Sequence, residues 1–307
     1  SRTGFLFVNL QSLVAPGTMK TVSVIPAIED DYLDVLAKAK LGLKLEFEDI
    51  AARAHLEPAM VERVFSGQFD PAITAAVAQV LGLNAEKLIQ LREGACTPKV
   101  VLPEGITLHN TAFPIPGYEE MTVNSYSLIP PGKATSGCII DAGASLESIL
   151  SEADEPDPML DWSLFLTHTH PDHITFYEEI SAIASKTYAP LREPHANAIP
   201  VKGNDFFSFG LWELRALETP GHSPGGTSYY LTGPEVSVVF VGDAIFCYSA
   251  GKVKANYQAA LAAIEDEILS LPGETILCSG HGPPSTVAFE KDHNPFFSVK
   301  CTAHEIL

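Results

Sequence analysis

Between Asp30 and Glu93 apolar residues recur three and four positions apart: Leu33, Leu36 and Ala37, then Phe47, Ile50 and Ala51, then Met60, Val61 and Val64. That is the spacing of a helix with one buried face. Gly42, Pro58, Gly67, Pro71 and Gly82 punctuate the pattern, which predicts about five short helices and no strand. The pattern stops at Cys96-Thr97-Pro98. Pro98, Pro103, Pro114 and Pro116 then predict a stiff, extended crossing, and the domain boundary is placed there.

Beyond the crossing, apolar residues come in short runs. Thr122 to Ile129 and Gly137 to Asp141, joined by Pro130-Pro131-Gly132, read as a hairpin. Trp162 to Leu166 reads as a buried strand, with further strands near Thr187 to Ala189, Trp212 to Glu218, Thr227 to Leu231, Val236 to Val241 and Thr275 to Ser279. Helices are expected over Ser145 to Glu152, Asp172 to Ser185 and Asn256 to Leu269, the last clear one. Alternation should bury one of Tyr229 and Tyr230. Strand pairs interleaved with few helices suit two facing sheets with helices outside.

The chemistry gathers where one strand ends. Leu164-Phe165-Leu166-Thr167 runs into His168-Thr169-His170-Pro171-Asp172-His173, three histidines and an aspartate within six positions. Imidazole and carboxylate bind borderline divalent metals, and a tight loop after a strand can turn several of them toward one point. A lone histidine reads as a solvated loop residue; the H-x-H-x-D-H spacing reads as a ligand set.

This run resembles the signature of the metallo-β-lactamase superfamily, and further landmarks follow in its order: Thr219-Pro220-Gly221-His222-Ser223-Pro224-Gly225, Val241-Gly242-Asp243 and Ser279-Gly280-His281-Gly282-Pro283. The resemblance extends from Ile106 to Pro284. It implies an α+β fold, an αββα metallo-β-lactamase sandwich preceded by a small all-α helix-turn-helix-like bundle. The chain then divides into an extension or tag-like segment (1–28), the bundle (29–95) and a catalytic domain (96–307). Residues Ser1 to Thr18, before Met19, lack a compact basic start and a convincing cleavage site and read as an upstream extension, not a signal peptide.

The same resemblance implies that His168, His170 and His222 hold one metal, that Asp172, His173 and His281 hold a second, and that Asp243 bridges them. Two divalent ions are expected, zinc first, with iron or manganese as alternatives. Water between such ions loses a proton near neutral pH and becomes a hydroxide able to attack a carbonyl. Asp172 then has a catalytic role as well, orienting that hydroxide and passing its proton to the leaving group. Asn124-Ser125-Tyr126 and Cys138 to Gly143 resemble the opening hairpin of the superfamily, whose Asp-x-Gly turn lies near the metals. His195 reads as a surface-loop residue, and His109 and His293 have no assignment.

Composition narrows the partners. The formal charge is −19, which opposes binding to polyanions and to anionic membrane surfaces and leaves a small-molecule substrate. No apolar run approaches the roughly 20 residues of a membrane helix. Cys96, Cys138, Cys247, Cys278 and Cys301 have no paired spacing, which fits a reducing, cytoplasmic setting and small apolar core residues. Lys38 to Leu83 resembles the helix-turn-helix bundle of phage-repressor-like proteins, nearest in character to the amino-terminal bundle of cyanase. Its candidate recognition helix, Pro58 to Phe65, offers Arg63 beside Glu62, and Glu29 to Glu93 holds 12 acidic against 7 basic residues. Both features disfavour nucleic acid. The bundle is expected to pack on the enzyme or to join two copies as a homodimer.

Three functions follow as expectations. The first is a dinuclear hydrolase of a small ester, thioester or lactone. The second is a mononuclear iron enzyme resembling the persulfide dioxygenases. The third, of another class, is a DNA-binding regulator using the amino-terminal bundle, which the acidic bundle opposes. Two departures from the resemblance matter: Ile174-Thr175-Phe176-Tyr177 puts bulk after the ligand loop and is expected to narrow the pocket, and 26 residues follow His281, where glutathione thioesterases of the glyoxalase II type carry a helical domain.

Overall fold

The computed structural model describes residues 26–112, 121–132, 134–152 and 160–297. The expected extension therefore lies almost entirely outside the described residues, as do Pro114, Pro116 and Cys301.

The amino-terminal pattern folds into five helices: α1 (Tyr32–Leu43), α2 (Phe47–Ala54), α3 (Pro58–Phe65), α4 (Pro71–Val80) and α5 (Ala85–Gly94). Local chemistry sets their ends. The Asp31 carboxylate accepts from the backbone N–H of Leu33 (2.7 Å) and Asp34 (3.1 Å) in a capping box, satisfying donors that a helix start leaves open. Lys44 ends α1 in the left-handed conformation, Pro58 and Pro71 sit at first-turn positions, and Asp70 caps α4.

The rest of the chain forms β1 (Ile106–Ala112), β2 (Thr122–Leu128), β3 (Ser136–Ile140), α6 (Leu146–Glu152), β4 (Asp161–Phe165), α7 (Tyr177–Ser181), β5 (Ala184–Pro190) and β6 (Ile199–Val201). It continues with β7 (Phe206–Phe209), β8 (Trp212–Glu218), β9 (Thr227–Gly233), β10 (Val236–Gly242), the short pair β11 (Ile245–Phe246) and β12 (Ser249–Ala250), α8 (Tyr257–Ala263), β13 (Ile276–Ser279), β14 (Ser285–Thr286) and α9 (Val287–His293). One six-stranded sheet has the order β1-β2-β3-β4-β5-β6, the other β14-β13-β10-β9-β8-β7. The expected hairpin is β2 against β3, antiparallel with Tyr126 opposite Ile140.

Strand alternation explains the layers. Cys138 and Ile140 point between the sheets, where they join Phe165, Tyr229, Leu231, Val238 and Phe240 in one buried cluster. Ile139 points the other way and packs with Trp162, Leu164, Tyr177 and Ile180 under the helices. Of the tyrosine pair, Tyr229 is the buried member. The outer face of the second sheet, through Val239, Val241 and Leu277, shares a third cluster with Tyr257 and Ile264 and with Val35, Leu36, Ala39, Ile50 and Leu88 of the bundle. The architecture is the αββα sandwich with the helical bundle docked on one flank. Lys87 Nζ seals that contact by donating to the carbonyls of Lys291 and Phe297, each at 2.6 Å.

The helix expected over Asp172 to Ser185 forms only in part. A 3₁₀ turn spans Pro171–His173, α7 covers only Tyr177–Ser181, and β5 has begun by Ala184. The reason is long-range pairing: the His173 carbonyl accepts from Ala142 N, and Phe176 N donates to the Ala142 carbonyl, both at 2.8 Å, so these groups are taken from a continuing helix. The bulk at Ile174, Phe176 and Tyr177 packs into the cluster over the first sheet. α8 continues into a π-helical turn, Ile264–Ile268, and α9 follows it as a further helix. Among the described residues, no helix is long and apolar enough to cross a membrane.

Candidate metal centre

Every expected donor sits in a loop at a strand end: His168 to His173 after β4, His222 after β8, Asp243 after β10 and His281 after β13. Strand ends of both sheets thus empty onto one edge of the sandwich. The structure brings all seven side chains together in two groups, His168, His170, His222 and Asp243 in one, and Asp172, His173 and His281 in the other.

In the first group, His170 Nδ1 lies 3.1 Å from His168 Nε2 and 2.8 Å from His222 Nε2. Asp243 Oδ2 lies 3.3 Å from His222 Nε2 and 3.9 Å from His168 Nε2. Four ligands about 2.0–2.1 Å from a tetrahedral ion stand about 3.4 Å from one another, so these edges fit one ion. In the second group, Asp172 Oδ2 lies 3.2 Å from His281 Nε2 and 3.5 Å from His173 Nε2. Asp243 also reaches this group, with Oδ1 3.2 Å from His173 Nε2 and Oδ2 3.5 Å from His281 Nε2.

Two buried atoms strengthen the fit. His173 Nε2 and Asp243 Oδ1 are buried and make no well-formed hydrogen bond although they stand 3.2 Å apart, a costly state for polar groups away from water that a cation would relieve. Three of the remote ring nitrogens are held, those of His173, His281 and His168, whereas His222 Nδ1 is buried without a partner. His173 Nδ1 faces Asp141 Oδ2 at 2.9 Å, His281 Nδ1 faces the Thr122 carbonyl at 2.7 Å, and His168 Nδ1 faces Thr167 Oγ1 at 3.0 Å. Fixing the far nitrogen aims the near one inward. Asp141, in the left-handed conformation after β3, also accepts from Thr167 N (2.7 Å) and Thr167 Oγ1 (2.8 Å), which ties the opening hairpin to the ligand loop.

The electrostatics follow from burial among opposed charges. Burial and the neighbouring His173 push His168 well below the usual imidazole range. Burial works against charge on His173 and His281 too, but Asp243, with Asp141 for the first and Asp172 for the second, overrides it and carries them up to about 10 and about 11. Burial likewise works to raise Asp243, and the positive His281 and His173 override it, holding its carboxyl well below the usual range. This carboxylate field is the kind a dication satisfies, releasing ring protons as it binds.

Other candidates fall outside the centre. His195 packs edge-on against the Tyr177 ring, 4.4 Å between centroids. His109 is buried in β1 with Nε2 2.9 Å from Ser127 Oγ, and burial lowers it to about 4. His293 stacks on Phe289. Cys138, Cys247 and Cys278 are buried and Cys96 exposed; burial pushes all three buried thiols up, so they serve as small apolar core residues. Sequence reading passed over Glu193, whose carboxylate bonds to both the His168-His170 loop and the loop after His222; only its place beside His195 hinted at it.

Part of the chain is similar to known proteins. Residues 175–281 match the family model described as the Metallo-beta-lactamase superfamily, a stretch that holds His222, Asp243 and His281 and starts just after His173. The chain is 37% identical over 130 residues to the hydroxyacylglutathione hydrolase of Brucella ovis, covering 39% of this chain and 49% of that protein. The chain therefore spans about half the length of the curated relatives it matches. Among solved structures, the BLEG-1 B3 metallo-beta-lactamase is 28% identical with a TM-score of 0.50, covering 62% of this chain and all (100%) of that one. ETHE1 from Myxococcus xanthus is similar in fold, at 24% identity and a TM-score of 0.50, covering 62% of this chain and 83% of that one.

Proposed function

We propose that the chain is a dinuclear metallohydrolase that cleaves a small ester, thioester or lactone at its carbonyl, with a thioester the first substrate to try. The observation that carries this reading is the convergence of seven donors on two adjacent points with Asp243 facing both. The matched hydroxyacylglutathione hydrolase, whose name states cleavage of an acylated glutathione, supports the thioester.

His168, His170 and His222 would hold one ion, Asp172, His173 and His281 the other, and Asp243 both. Donors of this kind suit zinc, with iron or manganese next. When bound, such ions polarise a carbonyl and bring the pKa of water to about 7. The chain's own part is to fix the donors and move the proton. Asp172 is nearly buried beside His281 and His173; burial works to raise its carboxyl, and His281 and His173 hold it below the usual range. It is therefore ionised, and its place in the centre carries the proposed role of accepting a proton from attacking water and handing it to the leaving group. The bundle, whose likeness to a helix-turn-helix unit suggested DNA binding, shares its buried face with the second sheet, which supports a docked element of the enzyme.

The test is metal analysis of the purified protein followed by a screen of thioesters, lactones and esters. Two divalent ions per chain with thioester hydrolysis is the expected result. One iron per chain with neither zinc nor manganese defeats the hydrolase reading and favours the oxygenase.

A further inference from the structure

Two carboxylates outside the seven donors grip the ligand loops, and they grip at different points. Asp141 touches both halves of the centre, His173 directly and His168 through Thr167 at the base of the ligand loop. Glu193 grips elsewhere. It sits in the turn after β5, where its N–H donates to the Pro190 carbonyl at 2.9 Å. Its Oε1 accepts from both Thr169 N and Thr169 Oγ1, each at 2.8 Å, and its Oε2 accepts from Gly225 N at 3.0 Å.

These partners are telling. Thr169 stands between His168 and His170, and Gly225 stands three residues after His222. One carboxylate thus clasps the two loops that supply all three imidazoles of the first group, and its hydrogen bonds reach neither His173 nor His281. The loops are closely fitted: a Cβ on Gly225 would lie 2.5 Å from Glu193 Cβ. Bonds from N–H and O–H to an ionised acceptor are short and strong, and both oxygens are engaged, which makes Glu193 a brace and not a ligand.

We propose that Glu193 is a positioning residue that sets the geometry of the His168, His170 and His222 group alone. The proposal rests on the reading of that group as a metal site. Removing a group bonded directly to a ligand costs about 10–100-fold in metal affinity; Glu193 acts through the neighbouring Thr169 and Gly225, and that range is the scale expected here, on one ion of the two.

The experiment is a zinc titration of the metal-depleted full-length protein against a chromophoric chelator, comparing wild type with Glu193→Gln and Thr169→Val. The glutamine keeps the volume but turns an NH₂ group toward one of the N–H donors, undoing one side of the clasp. The valine removes only the hydroxyl bond. Wild type is expected to take up two equivalents. In Glu193→Gln one equivalent weakens by about 10–100-fold and the other stays within about twofold, and Thr169→Val weakens the same equivalent by less. Parallel weakening of both equivalents would reveal a general structural role and overturn the proposal, as would unchanged affinity for both. A wild type that takes up no zinc overturns the metal reading itself, a distinct result from either.

Discussion

Gly280 lies so close to Asp243 that an added Cβ would stand 2.4 Å from Asp243 Oδ1, and the same carbon would stand 2.6 Å from His173 Cε1. No real side chain tolerates such contacts, so the carboxylate facing both donor groups keeps its place only because residue 280 has no side chain. Gly280→Ala should displace Asp243 and His173 together. The expected outcome is loss of about one ion or more per chain and at least a tenfold fall in turnover, with overpacking costing about 1–3 kcal/mol of stability. Metal analysis and thermal melts on the same preparation check this.

Asp172 is expected to do more than hold an ion. Asp172→Asn keeps size and one oxygen but cannot accept the proton. Metal content should remain substantial while kcat falls about a hundredfold, the scale of a lost general acid/base. Unchanged turnover per bound metal pair would make Asp172 a ligand only.

Glu290 gives a pH prediction away from the centre. It is fully buried in α9, and burial raises its carboxyl from 4.5 to about 7 despite the Ser285, Asn294 and Tyr248 groups around it. The folded protein therefore holds a proton that the unfolded chain gives up at lower pH. Stability from the protonated acid is full below about pH 4.5 and is lost as pH rises through about 7. Glu290→Gln should flatten the stability profile across that window and melt higher than wild type at pH 8, by up to about 3 kcal/mol. Chemical denaturation from pH 4 to 8 measures it.

The bundle's buried side chains share one cluster with Val239, Val241, Tyr257 and Ile264. Removing residues 1–95 should expose that apolar flank and cause aggregation. Size-exclusion chromatography with light scattering decides; a soluble, monodisperse and fully active truncation would contradict docking.

Much of this was legible in the sequence for physical reasons. Helical periodicity marked α1 to α5, and ligand chemistry is local enough that His168, His170, Asp172 and His173 announce themselves in one loop. The missing parts depend on distant partners. β1 interrupts its apolar residues with Thr107, His109 and Asn110 and is a strand through its pairing with β2. α9, seven residues long, is too short to show a period. The helix expected after His173 was cut short by pairing with Ala142, remote in sequence, and Glu193 carries no motif because its meaning lies in Thr169 and Gly225.

The most direct test replaces His170, whose Nδ1 meets the Nε2 atoms of both His168 and His222. Metal content and thioester hydrolysis should be measured together on wild type, His170→Ala and the His170→Ala/His222→Ala pair. Wild type is expected to carry two divalent ions and hydrolyse the thioester; the single variant should lose metal and orders of magnitude in rate, and the second replacement should add little, because the two side chains act as one unit. Full hydrolysis in His170→Ala, or a wild type that carries no divalent metal, would contradict the account.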